Sequence, residues 1–137
     1  MTTTPLPTVT PEQYADVLAL SRDAGFRDLV ITTWETGCRP QESLRVEARH
    51  VDLANQRWVF PKLESKNKKM SRVVYLTDKA AAITRRLVTF RPEGKLFCNS
   101  RGQPWTTDAV NNTFRRIQIR IGQVVMKEKG LAVTEAA

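Results

Sequence analysis

The stretch ETGCRPQES, from Glu35 to Ser43, lies where a buried segment gives way to a charged turn. The preceding residues, FRDLVITTWETG, are apolar on most sides and predict a central helix, although their β-branched members also suit a strand. Gly37 favours the left-handed position at which such a helix ends. Pro40 fits the first turn of a short helix expected from Pro40 to about Arg45. The stretch therefore predicts a sharp turn between two helices.

Two charged residues of this turn, Arg39 and Glu42, form a candidate anion-binding site. Glu42 follows Arg39 by three residues, so its carboxylate comes within reach of the guanidinium. We expect the turn to present Arg39 at the mouth of the core rather than on open surface, where it could donate two hydrogen bonds to a carboxylate or phosphate. The alternative is a helix-capping arginine with a surface ion pair.

Upstream of the turn, the sequence predicts a polar leader and one helix. Residues 1–9 are rich in Thr and Pro and are expected to be a flexible leader. TPEQ places Thr10 as N-cap, Pro11 at the first helical position and Gln13 in a capping box. The helix is predicted from Pro11 to about Ala24, ending at Gly25.

Downstream of the turn, the pattern changes to short strands. HVDLANQRWVF predicts strands at His50–Leu53 and Arg57–Phe60, separated by a break, and SRVVYL predicts a third at Arg72–Leu76. The polar segment KLESKNKKMS lies between the second and third strands. The expected product is a three-stranded antiparallel sheet with a long basic β-hairpin.

The remaining sequence predicts two more helices. Thr77 caps DKAAAITRRLVTF, LFCN is a short extended piece, and a last helix begins at Thr106 or Thr107 and ends at Gly122. Its expected buried stripe is Val110, Phe114, Ile117 and Ile121. The segment after Gly122 is ambiguous. Since helices and a small sheet are segregated along the chain, the fold class is α+β.

Composition narrows the classes of function. The chain has 137 residues, enough for one compact domain, which we expect over residues 10–137. Its 22 Lys and Arg exceed its 14 Asp and Glu, a formal charge of +8 that favours nucleic acid over a membrane as partner. Cys38 and Cys98 are expected to be reduced thiols of a cytoplasmic protein. His50, the single histidine, is expected at the surface or at a strand edge, so no metal site is predicted.

The basic hairpin adds to the candidate site at Arg39. Lys66, Lys68, Lys69 and Arg72 fall within seven residues. A solvated charge run is the ordinary explanation of such a loop. A lysine on a loop beside a fixed arginine also suits phosphate chemistry, because arginine stabilises charge on the non-bridging oxygens and lysine can protonate a leaving oxygen.

Four segments in order resemble the tyrosine recombinases, or phage integrases. TGCRPQES resembles the family's first catalytic box, roughly T-G-x-R-x-x-E. HVDLANQRWVF is similar to the strand pair after that box, and SKNKKMSRVVYL to the hairpin that carries the family's catalytic lysine. LFCNSRGQPWTTDAVNNTFRRI is similar to the segment that leads into the second box. The resemblance runs from about Thr10 to Gly122.

The resemblance implies a catalytic domain with helices packed around the small sheet, and a role for each matching residue. Arg39 would be the first catalytic arginine, Glu42 the acidic residue that braces it, and Lys66 the hairpin lysine, with Lys68 and Lys69 as rivals for that role. Lys68, Lys69 and Arg72 would bind DNA. The implied partners are double-stranded DNA and other recombinase protomers, with no membrane, metal or small-molecule cofactor.

Two parts of the family's machinery do not appear in the sequence. The second box, H-x-x-R, is absent, and the tyrosines, Tyr14 and Tyr75, both precede the position of the family's nucleophile. The family cleaves DNA through a 3′-phosphotyrosyl intermediate. We therefore expect a recombinase fragment truncated before the second box, inactive alone. The alternatives are a non-catalytic DNA-binding protein derived from this fold, and a basic RNA- or ribosome-associated module with a coincidental match.

Overall fold

The computed structural model describes residues 10–65 and 69–128, with side chains as far as residue 123. Its helices are α1 (Pro11–Leu20), α2 (Ala24–Thr36), α3 (Pro40–Arg45), α4 (Asp78–Phe90) and α5 (Thr107–Glu128), and its strands are β1 (Val51–Asp52), β2 (Arg57–Phe60) and β3 (Arg72–Tyr75). Single turns of 3₁₀ helix lie at Ala48–His50, Leu53–Asn55 and Lys62–Glu64. The fold is α+β, as predicted.

The described residues form two compact units, 10–22 with 106–128, and Asp23–Trp105. The predicted leader, residues 1–9, lies outside the described residues, as does the end of the chain from residue 129. Within 10–65 and 69–128, no helix combines the length and the apolar character needed to cross a bilayer.

The first unit consists of α1 and α5. Thr10 and Gln13 form the predicted capping box. The backbone N–H of Gln13 donates to Thr10 Oγ1, and the backbone N–H of Thr10 donates to Gln13 Oε1. Of the predicted stripe on α5, Val110, Phe114 and Ile117 are buried, whereas Ile121 is half-buried.

The predicted end of α5 at Gly122 was wrong, since the helix continues to Glu128. One glycine in a helix costs only about 1 kcal/mol relative to alanine, which the other residues of a long helix can offset.

The first helix also ends earlier than predicted, at Leu20 rather than Ala24. Asp23 begins a new helix instead, because its carboxylate accepts a hydrogen bond from the Phe26 amide at 3.1 Å. Gly25 therefore lies in the first turn of α2 and does not terminate α1. The aspartate two residues before this glycine is an N-cap signal that outweighs the glycine as a stop signal.

In the second unit, α2 is helical as predicted and ends at Gly37, whose φ of 64° is the left-handed conformation. The three strands form an antiparallel sheet in the order β1-β2-β3. β1 is shorter than the predicted His50–Leu53 because 3₁₀ turns take up both of its ends. β3 ends at Tyr75, one residue before the predicted Leu76.

The core of this unit lies between one face of the sheet and the helices. Trp58 and Phe60 alternate with half-buried residues along β2 and are fully buried. Trp58 meets Phe97 edge-on, with ring centroids 6.0 Å apart, and its Nε1 donates to Thr84 of α4. Helix α4 begins after the predicted cap Thr77 and packs against α2. The core thus fixes the sheet, and with it the β2–β3 hairpin.

Candidate active site

The turn between α2 and α3 positions Arg39. After the left-handed Gly37, the Cys38 amide donates to Thr36 Oγ1, which keeps the chain close to the end of α2. Arg39 is then the N-cap of α3, and Pro40 occupies the first helical position as predicted. The backbone of Arg39 is therefore set by elements on both sides.

The side chain of Arg39 is 59% exposed, so it lies on the surface and not at the mouth of the core. Its backbone amide donates to Glu42 Oε1 at 3.0 Å, whereas its guanidinium Nη1 lies 3.9 Å from Glu42 Oε2. Glu42 thus holds the backbone of Arg39 more tightly than the guanidinium. An exposed guanidinium at a fixed backbone position remains accessible to an external anion.

Glu42 is almost completely buried, with 3% of its side chain exposed, and its short contacts are with Arg72. Arg72 Nε donates to Oε2 at 2.6 Å and Nη2 donates to Oε1 at 3.1 Å. Burial alone would raise the pKa of Glu42, but the hydrogen bonds from Arg72 and from the Arg39 amide lower it overall. The carboxylate therefore stays ionised between the two arginines.

The basic hairpin is only partly within the described residues. Lys66 and Lys68 fall outside them, and Lys69 is exposed. Ser65 Oγ donates to the carbonyl oxygen of Met70 at 2.6 Å, a contact across the loop just outside the lysine segment. The predicted roles of Lys66, Lys68, Lys69 and Arg72 stay predictions.

A second ion-pair cluster at the hairpin was missed by the sequence analysis. Arg49 donates to both oxygens of Glu64, at 2.9 and 2.7 Å, and His50 Nε2 lies 2.8 Å from Glu64 Oε1. The hydrogen bonds from Arg49 and His50 lower the pKa of Glu64 to about 2. A lone glutamate in a basic loop was the available signal for such a cluster.

His50 was expected at the surface or at a strand edge, and it directly precedes the edge strand β1, but its side chain is buried and not at the surface. It ends the 3₁₀ turn before β1, its ring packs on Phe60 with centroids 4.7 Å apart, and its Nδ1 accepts from the Glu47 amide. Because Nδ1 is an acceptor, the proton lies on Nε2, which donates to Glu64. His50 thus has a structural role at the base of the hairpin.

Metal ligands do not cluster in this region. Among residues 10–65 and 69–128, no three His, Cys, Asp or Glu side chains are grouped to hold a metal ion. Cys38 and Cys98 are buried and form no disulfide, and burial raises the pKa of the Cys38 thiol. A buried thiol with a raised pKa is a poor nucleophile, so Cys38 is not a candidate nucleophile.

The fold, helices packed with a three-stranded antiparallel sheet, is that of tyrosine recombinase catalytic domains. The model of the phage integrase family matches residues 7–131, nearly the whole chain. The protein belongs to the phage integrase family. No curated protein sequence matches the chain.

Two solved structures share the fold. XerA recombinase superposes with a TM-score of 0.60 at 19% sequence identity, covering 85% of this chain and 43% of its own. The integrase of transposon Tn1549, solved in complex with transposon right-end DNA, gives a TM-score of 0.64 at 16% identity, covering 89% of this chain and 47% of its own. The chain thus spans less than half the length of either structure.

Proposed function

We propose that this chain supplies the first half of the catalytic site of a site-specific recombinase that cleaves and rejoins double-stranded DNA. The observation that carries the proposal is the Arg39 turn. An exposed guanidinium stands at a fixed backbone position, and a buried carboxylate links that turn to the base of the basic hairpin. Arginine in this setting suits bidentate binding of a phosphate.

Arg39 and Lys66 are the proposed catalytic residues. In the full reaction a tyrosine oxygen would attack the phosphorus, and the bond from phosphorus to the 5′ oxygen would break. Arg39 would stabilise the negative charge on the non-bridging oxygens, and Lys66 would give its proton to the departing 5′ oxygen. Lys68 and Lys69 remain the rivals of Lys66 for this step. Glu42 would hold the backbone of Arg39 in place by accepting a hydrogen bond from the Arg39 amide.

DNA binding would come mainly from phosphate contacts. The net charge of +8 and the lysines of the hairpin favour the DNA backbone, with Lys68 and Lys69 as the proposed contacts. Arg72 was predicted with them, but its guanidinium is paired with Glu42. We also propose that the protein associates with other recombinase protomers and that it comes from a mobile element. A cytoplasmic location is proposed as well, and the two cysteines outside disulfides support it.

A non-catalytic DNA-binding protein is the second candidate. The net charge of +8 supports it as well as it supports the first candidate, because phosphate contacts require no tyrosine nucleophile. The same basic face would then bind DNA without cleaving it. The two candidates differ in whether Arg39 contacts a phosphate.

The test is DNA affinity as a function of salt, measured by fluorescence anisotropy on a labelled duplex. We expect an affinity of about 10⁻⁴ to 10⁻⁶ M, and Arg39→Ala should reduce the salt slope by about one. Arg57→Ala is the matched control, since it removes an equal charge at the end of β2 remote from the hairpin loop. If the two variants change the slope equally, Arg39 makes no special phosphate contact and the proposal fails.

A further inference from the structure

We propose that Arg72 is a positioning residue: through Glu42 it fixes the base of the lysine hairpin to the Arg39 turn, and it does not itself bind a phosphate. The inference rests on the proposed function, which gives Arg39 and the hairpin lysine their catalytic roles. The ion pair between Arg72 and Glu42 is observed in the fold itself.

The location of the pair supports this role. Arg72 is the first residue of β3 and lies opposite Phe60, the last residue of β2. These two residues form the base of the hairpin loop. Glu42 lies in the first turn of α3, three residues after Arg39. The contact therefore joins segments thirty residues apart in the chain, at the two places where the proposed catalytic groups are attached.

The energetics of the pair support it as well. Glu42 is 3% exposed, and a carboxylate at such a site is destabilising unless hydrogen bonds compensate its burial. Arg72 supplies two of these bonds through adjacent guanidinium nitrogens, a geometry that lysine cannot reproduce. A phosphate that recruited Arg72 would have to compete with this buried carboxylate.

The other arm of the hairpin is attached to the 3₁₀ turn at Ala48–His50. Glu64 accepts from Arg49 and His50, and Ser65 bonds to Met70 across the loop. Arg49 is 54% exposed, so its ion pair with Glu64 contributes little compared with a buried pair. The two attachments differ in their carboxylates, since that of Glu42 is 3% exposed and that of Glu64 is 33% exposed.

Hydrogen exchange of the hairpin tests the positioning role without DNA. Arg72→Lys and Glu42→Gln should each accelerate exchange of the amides in residues 62–65 and 69–71 by on the order of tenfold, and the double variant no further. Arg57→Lys is the matched control, since Arg57 is exposed to a similar extent and also donates its Nε to a carboxylate, that of Asp52. It should leave these amides unchanged.

The result that overturns the proposal is equal exchange of residues 62–65 and 69–71 in Arg72→Lys, Glu42→Gln and Arg57→Lys. Should Glu42→Gln accelerate exchange in the core helices too, it has destabilised the whole unit. Arg72→Lys then decides the matter, because it leaves the carboxylate and the net charge in place.

Duplex affinity separates positioning from phosphate contact. If Arg72 only positions the hairpin, Arg72→Met weakens binding without reducing the salt slope, and Glu42→Gln also weakens binding although it removes a negative charge. If Arg72 binds a phosphate, Arg72→Met reduces the slope by about one and Glu42→Gln strengthens binding, which overturns the inference. If the unaltered chain binds no duplex, the proposed function fails while the exchange result stands.

Discussion

The carbonyl oxygen of Cys98 lies 1.9 Å from the position that a β-carbon on residue 25 would occupy, so Gly25 and Cys98 meet backbone to backbone. Gly25 is in the first turn of α2, and this contact allows the extended segment around Cys98 to pass directly over that turn. The glycine is required for proximity and not for its freedom in φ.

Gly25→Ala should therefore destabilise the protein by about 1–3 kcal/mol, because a backbone oxygen must move to admit the methyl group. Helix propensity alone predicts the opposite sign, a gain of about 1 kcal/mol. Urea denaturation measures the difference. Gly37→Asn is the control: its position is left-handed but open, and asparagine tolerates that conformation. Equal or greater stability of Gly25→Ala would contradict the close approach.

The ion pair between α2 and α4 should respond unequally to removal of its two partners. Arg86 donates to both oxygens of Asp28, whose side chain is 12% exposed against 60% for Arg86. Arg86→Ala leaves a largely buried carboxylate without its partner and should cost about 1–3 kcal/mol. Asp28→Ala leaves an arginine that water can solvate and should cost less. Thermal denaturation of both variants measures the order, and the reverse order would refute this account.

Acid should weaken the attachment of the hairpin at Glu64. The folded-state pKa of Glu64 is about 2, below its ordinary value of 4.5, so its contribution to stability is present above pH 4.5. That contribution is lost as the pH falls through about 2. Glu64→Gln should therefore have a shallower decrease of Tm over this interval than the unaltered protein. Parallel Tm curves for the two proteins would show that the Arg49 and His50 contacts do not hold Glu64 in solution.

The 137-residue chain should form no covalent adduct with DNA. Tyr75 is exposed on β3, and Tyr14 lies on α1, so neither follows the last helix as the family's nucleophile does. The measurement is incubation with a nicked suicide duplex, followed by denaturing electrophoresis. An adduct abolished by Tyr75→Phe would contradict the prediction and identify a nucleophile on the hairpin strand.

Much of the fold could be predicted from local chemistry. The left-handed Gly37, the caps at Thr10 and Thr77, and the antiparallel strands on either side of a polar loop each depend on a few neighbouring residues. Such features follow from backbone preferences and the alternation of apolar residues, which the sequence displays directly.

The errors have a different origin. Gly25 was interpreted as a stop signal, although a tertiary contact with Cys98 explains it and Asp23 caps the new helix. His50 was expected at the surface or at a strand edge because its neighbours are charged, yet its side chain is buried, and one of those neighbours, Arg49, pairs with Glu64, fifteen residues away. The contacts Gly25–Cys98 and Arg49–Glu64 join residues far apart in the chain, so no local pattern could reveal them, whereas the Asp23 N-cap was a local signal that was overlooked.

In the candidate site, too, the local arrangement could be predicted but the long-range contact could not. Spacing placed Arg39 and Glu42 in one turn, but it could not show that the carboxylate is closer to Arg72, thirty residues away. A buried carboxylate needs hydrogen bonds to offset its burial, and the tertiary fold decides which arginine supplies them. For Glu42 that arginine is Arg72.

The pairing of Glu64 also affects how quickly the protein could find its partner. Glu64 is the single acidic residue among 61–71, and its charge is neutralised at the base of the hairpin by Arg49. Lys66, Lys68 and Lys69 therefore carry positive charge with no acidic neighbour in their own segment of sequence. A concentrated charge of this kind guides diffusional encounter with a polyanion, so association rates should rise steeply as ionic strength falls.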